Sequence, residues 1–185
     1  MIDNKWENIY KNNKNSMNSF TYPIIATLIQ GYIARHSEKN IEDIIVLELG
    51  FGSGANLLYL AELGCKVYGI DISETAVKYA ENLFYSKEQK GTFSVSSFAP
   101  LKFEDNFFDI VIDRGALVCA SKDLFNKTIK ESYRVLKPNG ELLLTPYSEL
   151  NHNTLAVNSI RDSVDIKTTP PILAWNFIHI ILMRF

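Results

Sequence analysis

Cysteine and histidine are scarce in this chain of 185 residues, which carries two of the first and three of the second. Cys65 and Cys119 stand far apart with no Cys-x-x-Cys spacing, which argues against a disulfide framework and suits reduced thiols in a cytosolic protein. His36, His152 and His179 do not cluster with carboxylates or thiols at ligand spacing, so no metal is expected. An excess of either charge is also missing: 19 basic against 21 acidic side chains leave a net charge of -2. Without a basic block there is no electrostatic footprint for nucleic acid, and no nucleic-acid partner is expected. No run reaches the roughly 18 apolar residues of a membrane span. The nearest, "ILAWNFIHIILMRF", is interrupted by Asn176 and His179. The opening "MIDNKWENIYKNNKNSMN" lacks the apolar core of a signal peptide. These absences read as a soluble, cytoplasmic protein with no membrane partner.

What the chain does have is 46% hydrophobic residues, enough for one domain with a real core. Its first twenty residues are polar with isolated aromatics. They read either as a mobile arm or, from the one-turn spacing of Trp6 and Tyr10, as a short helix folded over something. From Pro23 the positions Ile25, Leu28, Ile29, Tyr32 and Ile33 recur at helical spacing and predict a helix ending near 36–40. Residues 1–40 are thus an arm and helix packing on a core, and 41–185 a single domain.

Within that domain the period alternates. "DIIVLELG", "CKVYGID", "TFSVSS", "FDIVID" and "ELLLTP" read as five strands. Between them lie helical patterns: Leu57 to Leu63, then Ala76 to Phe84 behind a capping Ser73, then Phe125, Ile129, Tyr133 and Leu136, closed by the turn "KPNG". A short helix over 153–160, then "SVDIKT" and "FIHIILMRF", can supply two more strands. Strands alternating with helices predict an α/β fold, a mostly parallel sheet with helices on both faces.

The chemistry concentrates in "VLELGFGSGANLLYLAELGCKVYGID", where Gly50, Gly52 and Gly54 follow a strand and open a helix. Such glycines allow positive φ and a close backbone approach to a ligand. A dinucleotide fingerprint needs its third glycine at 55, which is Ala55, a residue tolerated there; a Walker A loop needs a lysine that is missing; a hydrolase elbow around Ser53 needs glycines at 51 and 55. Asp71 closes the next strand, where a carboxylate accepts from ribose hydroxyls. Glycine turn and carboxylate together point to an adenosine-type ligand.

With "FDIVIDRGALVC" and "SYRVLKPNGELLLT" following in order, the chain from Ile44 to Pro146 resembles class I S-adenosylmethionine-dependent methyltransferases. The resemblance implies a Rossmann-like three-layer sandwich of seven strands, the last antiparallel and inserted beside the fifth. It implies S-adenosylmethionine as cofactor. Gly50, Gly52 and Gly54 would lie under its methionine part, Glu48 near its amino group and Asp71 on the ribose. Ile72 would pack on the adenine, flanked by Ser97 and Phe98, although "SVSSF" lacks the acidic residue that many members aim at the adenine amino group. Asp113 would face cofactor and substrate.

"DRGALV" departs from the Asn/Asp-Pro-Pro-aromatic motif of the amino-methylating nucleic-acid enzymes, so a small-molecule acceptor is expected, through oxygen or nitrogen. Trp6, Tyr10 and Tyr22 are candidates for closing over the site. Arg114 either meets substrate or pairs with Asp113 or Glu48. Asp113, Tyr147 and His152 are the candidate general bases for a hydroxyl acceptor; each also has a plainer reading, as arginine partner, pocket wall and surface residue. Two other classes stay open: a nicotinamide-dependent oxidoreductase, against which stands the lack of a Tyr-x-x-x-Lys pair, and a non-catalytic cofactor-binding module.

Overall fold

The computed structural model describes residues 4–12, 17–145 and 181–184. Helix α1 (Asn4–Asn12) is followed by α2 (Pro23–Arg35), whose first turn holds Pro23, and by a 3-10 turn at Ile41–Asp43. Strand β1 (Ile45–Leu49), helix α3 (Ala55–Glu62), strand β2 (Lys66–Asp71), helix α4 (Glu74–Ser86) and strand β3 (Thr92–Val95) make the first half. Strand β4 (Phe108–Asp113), a 3-10 turn at Leu117–Cys119, helix α5 (Lys122–Val135), strand β5 (Leu136–Leu144) and strand β6 (Ile181–Arg184) make the second.

The strands form one sheet in the order β3-β2-β1-β4-β5-β6, with β1 to β5 parallel and β6 antiparallel to β5. The antiparallel strand beside the fifth is therefore present. Six strands, rather than seven, are seen among the described residues; "SVDIKT", the 153–160 helix, Tyr147 and His152 lie outside them.

Alternation along β1 sends Val46 to one face and Leu47 and Leu49 to the other, the period of two that any strand imposes. On the first face sit α2, through Ile25, Leu28, Ile29 and Tyr32, together with α3 and α4; on the second sits α5. The chain runs outward from β1 to β3 and then returns to β4 on the other side of β1. That reversal opens a crevice at the carboxyl ends of β1 and β4, where α/β sheets take their ligands.

Two local expectations are corrected. Leu136 does not continue α5: it begins β5 and pairs with Phe108, while the next registered pair is Ile110 with Glu141. "KPNG" is thus an outward excursion within the strand, with Asn139 at φ 65°, because a turn sequence can be absorbed as a bulge where pairing resumes on both sides. The fully buried side chains of α5 are Thr128, Ser132 and Val135; Phe125 and Ile129 pack half-buried on the same core as expected, and Tyr133 is exposed. Small side chains let this helix lie close to the sheet, and the Thr128 hydroxyl is satisfied by the Leu124 carbonyl at 2.7 Å.

Candidate active site

Between β1 and α3 the chain turns through Gly50, Gly52 and Gly54 at φ 65°, 58° and 78°, values that strain any residue bearing a Cβ. The three bare Cα atoms also meet three different neighbours. A Cβ at Gly50 would lie 2.4 Å from the Cβ of Ala116, in the loop after β4. At Gly52 it would meet the Tyr10 hydroxyl of α1 at 3.1 Å, and at Gly54 the Cβ of Ala80 in α4, also at 3.1 Å. The turn is where the loop, the N-terminal helix and the helical layer all converge.

Three carboxylates gather at this edge because β1 lies between β2 and β4. Asp71 ends β2; its Oδ2 accepts from the Gly52 N–H and its Oδ1 from the Ser73 N–H, both at 2.9 Å. Burial raises its pKa above the ordinary carboxylate value, against the pull of those N–H groups. Asp113 ends β4, and its Oδ1 accepts from the N–H groups of Ala116 (3.0 Å) and Leu117 (2.9 Å), which shapes the 114–117 turn. Burial lifts its pKa to about 6, with the Leu117, Ala116 and Gly115 N–H groups and the Arg114 charge opposing.

Glu48, next to last in β1, is 2% exposed. Its Oε1 accepts from Asn56 Nδ2 at 2.7 Å, while the buried Oε2 has no partner among the described residues. Burial, partly offset by the Asn56 bond and reinforced by the Asp113 charge, pushes its pKa up to about 8.

A cavity of about 230 Å³ opens over this edge. Trp6 and Tyr10 line it from α1, Gly50 from the turn, Asp71 and Ile72 from the end of β2, Ser97 and Phe98 from beyond β3, and Arg114, Ala116 and Cys119 from the loop after β4. Trp6 and Tyr10 lie with ring centroids 5.8 Å apart; the helical alternative for the N-terminal segment is what the structure contains. Tyr22 stands just outside, stacked on Arg114. Glu48, Gly52, Gly54 and Asp113 lie behind the wall rather than on it. Arg114 pairs with neither Asp113 nor Glu48 by a hydrogen bond, although its charge acts on both. A wider groove between α4 and β3, about 460 Å³ with Phe84, Tyr85 and Phe93 on its walls, gathers no such set of carboxylates.

Two residues of the site escape sequence reasoning. Asn56 bonds Glu48 and, through its Oδ1, accepts from Thr21 Oγ1 and the Tyr22 N–H, both at 3.1 Å; a lone amide on the buried face of an otherwise apolar helix was its one signal. Glu7 reaches from α1 to the start of α4, accepting from the Ser73 hydroxyl, the Thr75 N–H (3.1 Å) and the Thr75 hydroxyl (2.8 Å). Nothing local marks it.

Fold and site together define a Rossmann-like domain built to hold a nucleoside at the switch point of its sheet. The chain belongs to the class I S-adenosylmethionine-dependent methyltransferase family: the methyltransferase-domain family matches residues 46–140. An uncharacterized protein of Haemophilus influenzae is 34% identical over 135 residues, 70% of this chain and 53% of that protein. Phosphoethanolamine N-methyltransferase of Plasmodium falciparum is 35% identical over 107 residues, 57% of this chain and 40% of the relative. Among solved structures, an S-adenosylmethionine-dependent methyltransferase of Methanosarcina mazei superposes with a TM-score of 0.61 at 32% identity, over 74% of this chain and 62% of the other. The chain spans about half the length, or less, of these two curated relatives.

The residues present suit that family's cofactor. A partnerless buried carboxylate oxygen on Glu48 can take an ammonium. Asp71, with both oxygens already oriented by backbone N–H groups, retains lone pairs for hydroxyl donors. Ile72 and Phe98 offer apolar surface to a base.

Proposed function

We propose that this chain is a methyltransferase domain that moves a methyl group from S-adenosylmethionine to a small-molecule acceptor. The observation that carries the reading is the meeting of Asp71, the glycine turn and a partnerless Glu48 oxygen at one cavity edge. In this proposal residues 41–185 form the working unit and residues 1–40 its cover. The setting is the cytoplasm, supported by cysteines that form no disulfide. Among the described residues no helix is long and apolar enough to cross a membrane.

The cofactor supplies a methyl on a sulfonium, already electrophilic enough that no covalent enzyme intermediate is required. The chain's residues therefore serve alignment, which can supply about 7 to 11 kcal/mol of barrier reduction. Asp71 accepts from the ribose hydroxyls, Ile72 and Phe98 hold the base with Ser97 beside it, and Glu48 accepts from the amino group. Gly50, Gly52 and Gly54 pass the methionine part close to the backbone. Trp6 and Tyr10 exclude water from above.

Asp113 spends one carboxylate oxygen on the 114–117 turn. We assign it the positioning of Arg114 and Ala116 in preference to proton transfer; Tyr147 and His152 remain the candidate bases for an acceptor that needs one. Relatives named phosphoethanolamine N-methyltransferase and ubiquinone biosynthesis O-methyltransferase carry nitrogen and oxygen acceptors in their names, and so support a small acceptor without choosing its atom.

Calorimetry with S-adenosylmethionine, S-adenosylhomocysteine and NAD tests the reading. Binding of the two S-adenosyl compounds is expected; tight NAD binding with no response to them would overturn it. Asp71→Ala should weaken S-adenosylhomocysteine on the order of 100-fold, two charge-assisted hydrogen bonds being lost. Asp71→Asn, which keeps an acceptor oxygen for one of the two neighbouring N–H groups, should weaken it less. A screen of metabolites with labelled methyl donor then identifies the acceptor, and binding without any transfer would reduce the chain to a cofactor-binding module.

A further inference from the structure

Arg114 follows Asp113 at the carboxyl end of β4 and lines the cavity half-buried. Its guanidinium carbon lies 3.8 Å from the centroid of the Tyr22 ring, and among the described residues no oxygen accepts a hydrogen bond from it. Stacking uses the flat face of a guanidinium and leaves its five N–H groups pointing outward in the plane. Donors that are half-buried and unanswered are costly unless something arrives to meet them.

The backbone that carries the Tyr22 ring is anchored from behind. Tyr22 is held by its N–H on Asn56 Oδ1, Thr21 donates to the same oxygen, and Asn56 Nδ2 is anchored on Glu48. A chain of contacts thus runs from β1 through α3 to the segment before α2 and ends on Arg114. The neighbouring carboxylates do not use the arginine: Asp113 is turned to the Ala116 and Leu117 N–H groups. Glu48 spends one oxygen on Asn56, and its second accepts from no group among the described residues, Arg114 included.

We propose that Arg114 determines specificity by taking an oxyanion, a carboxylate or phosphate, carried by the methyl acceptor. The inference rests on the methyl-transfer reading and deepens it to a substrate class. An oxyanion could also come from the donor's own carboxylate. The acceptor is favoured because the groups suited to the donor come from β1, β2 and the segment after β3, whereas Arg114 comes from β4 and is stacked under the N-terminal cover. A planar fork with two parallel N–H groups suits either kind of oxyanion better than a lysine would.

The test titrates inorganic phosphate and acetate into protein saturated with S-adenosylhomocysteine. The wild type should bind at least one of them with a dissociation constant on the order of millimolar, and Arg114→Gln should weaken it about ten-fold. Arg114→Lys should fall between, Tyr22→Ala should lose several-fold through the stack, and Tyr22→Phe should match the wild type. S-adenosylhomocysteine and methylthioadenosine, which lacks the amino-acid end, should bind Arg114→Gln within about two-fold of the wild type.

Equal anion affinity in wild type and Arg114→Gln overturns the proposal. So does a loss of S-adenosylhomocysteine affinity in that variant with methylthioadenosine unchanged, which would give Arg114 to the donor's carboxylate. If neither S-adenosyl compound binds the wild type, the methyl-transfer reading falls, and the anion titration of wild type against variant still decides the role of Arg114. Melting curves accompany each variant; if Arg114→Gln does not fold, Arg114→Lys and Tyr22→Ala carry the comparison.

Discussion

Asp109 and Asp113 stand near opposite ends of β4, four residues apart and both fully buried. Asp109 is surrounded: Lys39, Lys137, the Tyr32 hydroxyl and the Ile45 N–H all donate to it. Burial alone would raise its pKa, but the hydrogen bonds from Lys137, Lys39 and Ile45 outweigh that and leave it lowered. Asp113 has backbone N–H groups and a nearby arginine that does not bond it, and its pKa rises to about 6. Beside Asp109, Arg35 also closes a two-point pair on buried Glu141. One end of the sheet has its charges answered from within; the other leaves Glu48, Asp71 and Arg114 with capacity to spare. The fold is stapled at the amino edge so that the carboxyl edge can stay open to a ligand.

The largest effect that would break this contrast is thermal. Asp109→Ala strands two lysines over a buried gap, and opening such a site costs about 3 to 5 kcal/mol. That corresponds to a fall in melting temperature on the order of 10 °C, with affinity for S-adenosylhomocysteine nearly unchanged. Asp113→Asn keeps an acceptor for Ala116 and Leu117 and should cost far less. If calorimetric melting shows equal losses, the two edges do not differ as argued.

A smaller effect concerns pH. The folded pKa values of Glu48 (about 8) and Asp113 (about 6) exceed the ordinary values of 4.5 and 3.8. The folded state therefore holds more protons than the unfolded one, and the stability these groups contribute is lost as pH rises from about 4 to 8. The ligand-free protein should melt progressively lower over that window. Glu48→Gln should flatten its upper part and raise the melting temperature at pH 8 by a few degrees, at roughly 2 to 4 °C per kcal/mol. A parallel fall in the variant would mean that Glu48 is not the titrating group.

Of this contrast the sequence displays only half. The glycine turn and Asp71 are legible because strand, turn and helix signals are local, and the strand order follows once the resemblance is seen. Asp109 and Asp113 look alike in "FDIVID". What separates them is Lys39 and Lys137, brought to one end from outside the strand. The same holds for Asn56 and Glu7, whose partners Tyr22 and Thr75 lie 34 and 68 residues away along the chain. Phe125 and Ile129 of α5 face the core as their spacing predicts, but Thr128 and Ser132, buried more deeply, break the apolar code, and "KPNG" is misread because a turn signal does not say whether pairing resumes beyond it. Local patterns fix elements; charge states are set by what three-dimensional packing delivers.

The mildest effect sharpens the contrast at the open edge itself. Helix α1 has nine residues, too few to persist alone in water, so its place over the cavity depends on contacts. Tyr10 over Gly52 is one; Glu7 on the start of α4 is the other, an anion at the positive end of a helix. The Ser73 hydroxyl, opposed by partial burial and aided by Thr75 and Lys11, lowers the Glu7 pKa to about 2. A lowered carboxyl contributes above its ordinary pKa of 4.5 and loses that contribution as pH falls towards 2, so the helix stays docked at neutral pH. Glu7→Gln keeps the reach and removes the charge. Release of S-adenosylhomocysteine, followed by stopped-flow through Trp6 fluorescence, should quicken several-fold, a change of about 1 kcal/mol. The melting temperature should hardly move, because the helix contributes little to the core. Lys11→Ala removes only an exposed partner one turn along the same helix, worth about 0.3 to 0.5 kcal/mol, and should leave the release rate nearly as it was. An unchanged rate in Glu7→Gln would mean that α1 covers the cavity without governing passage through it.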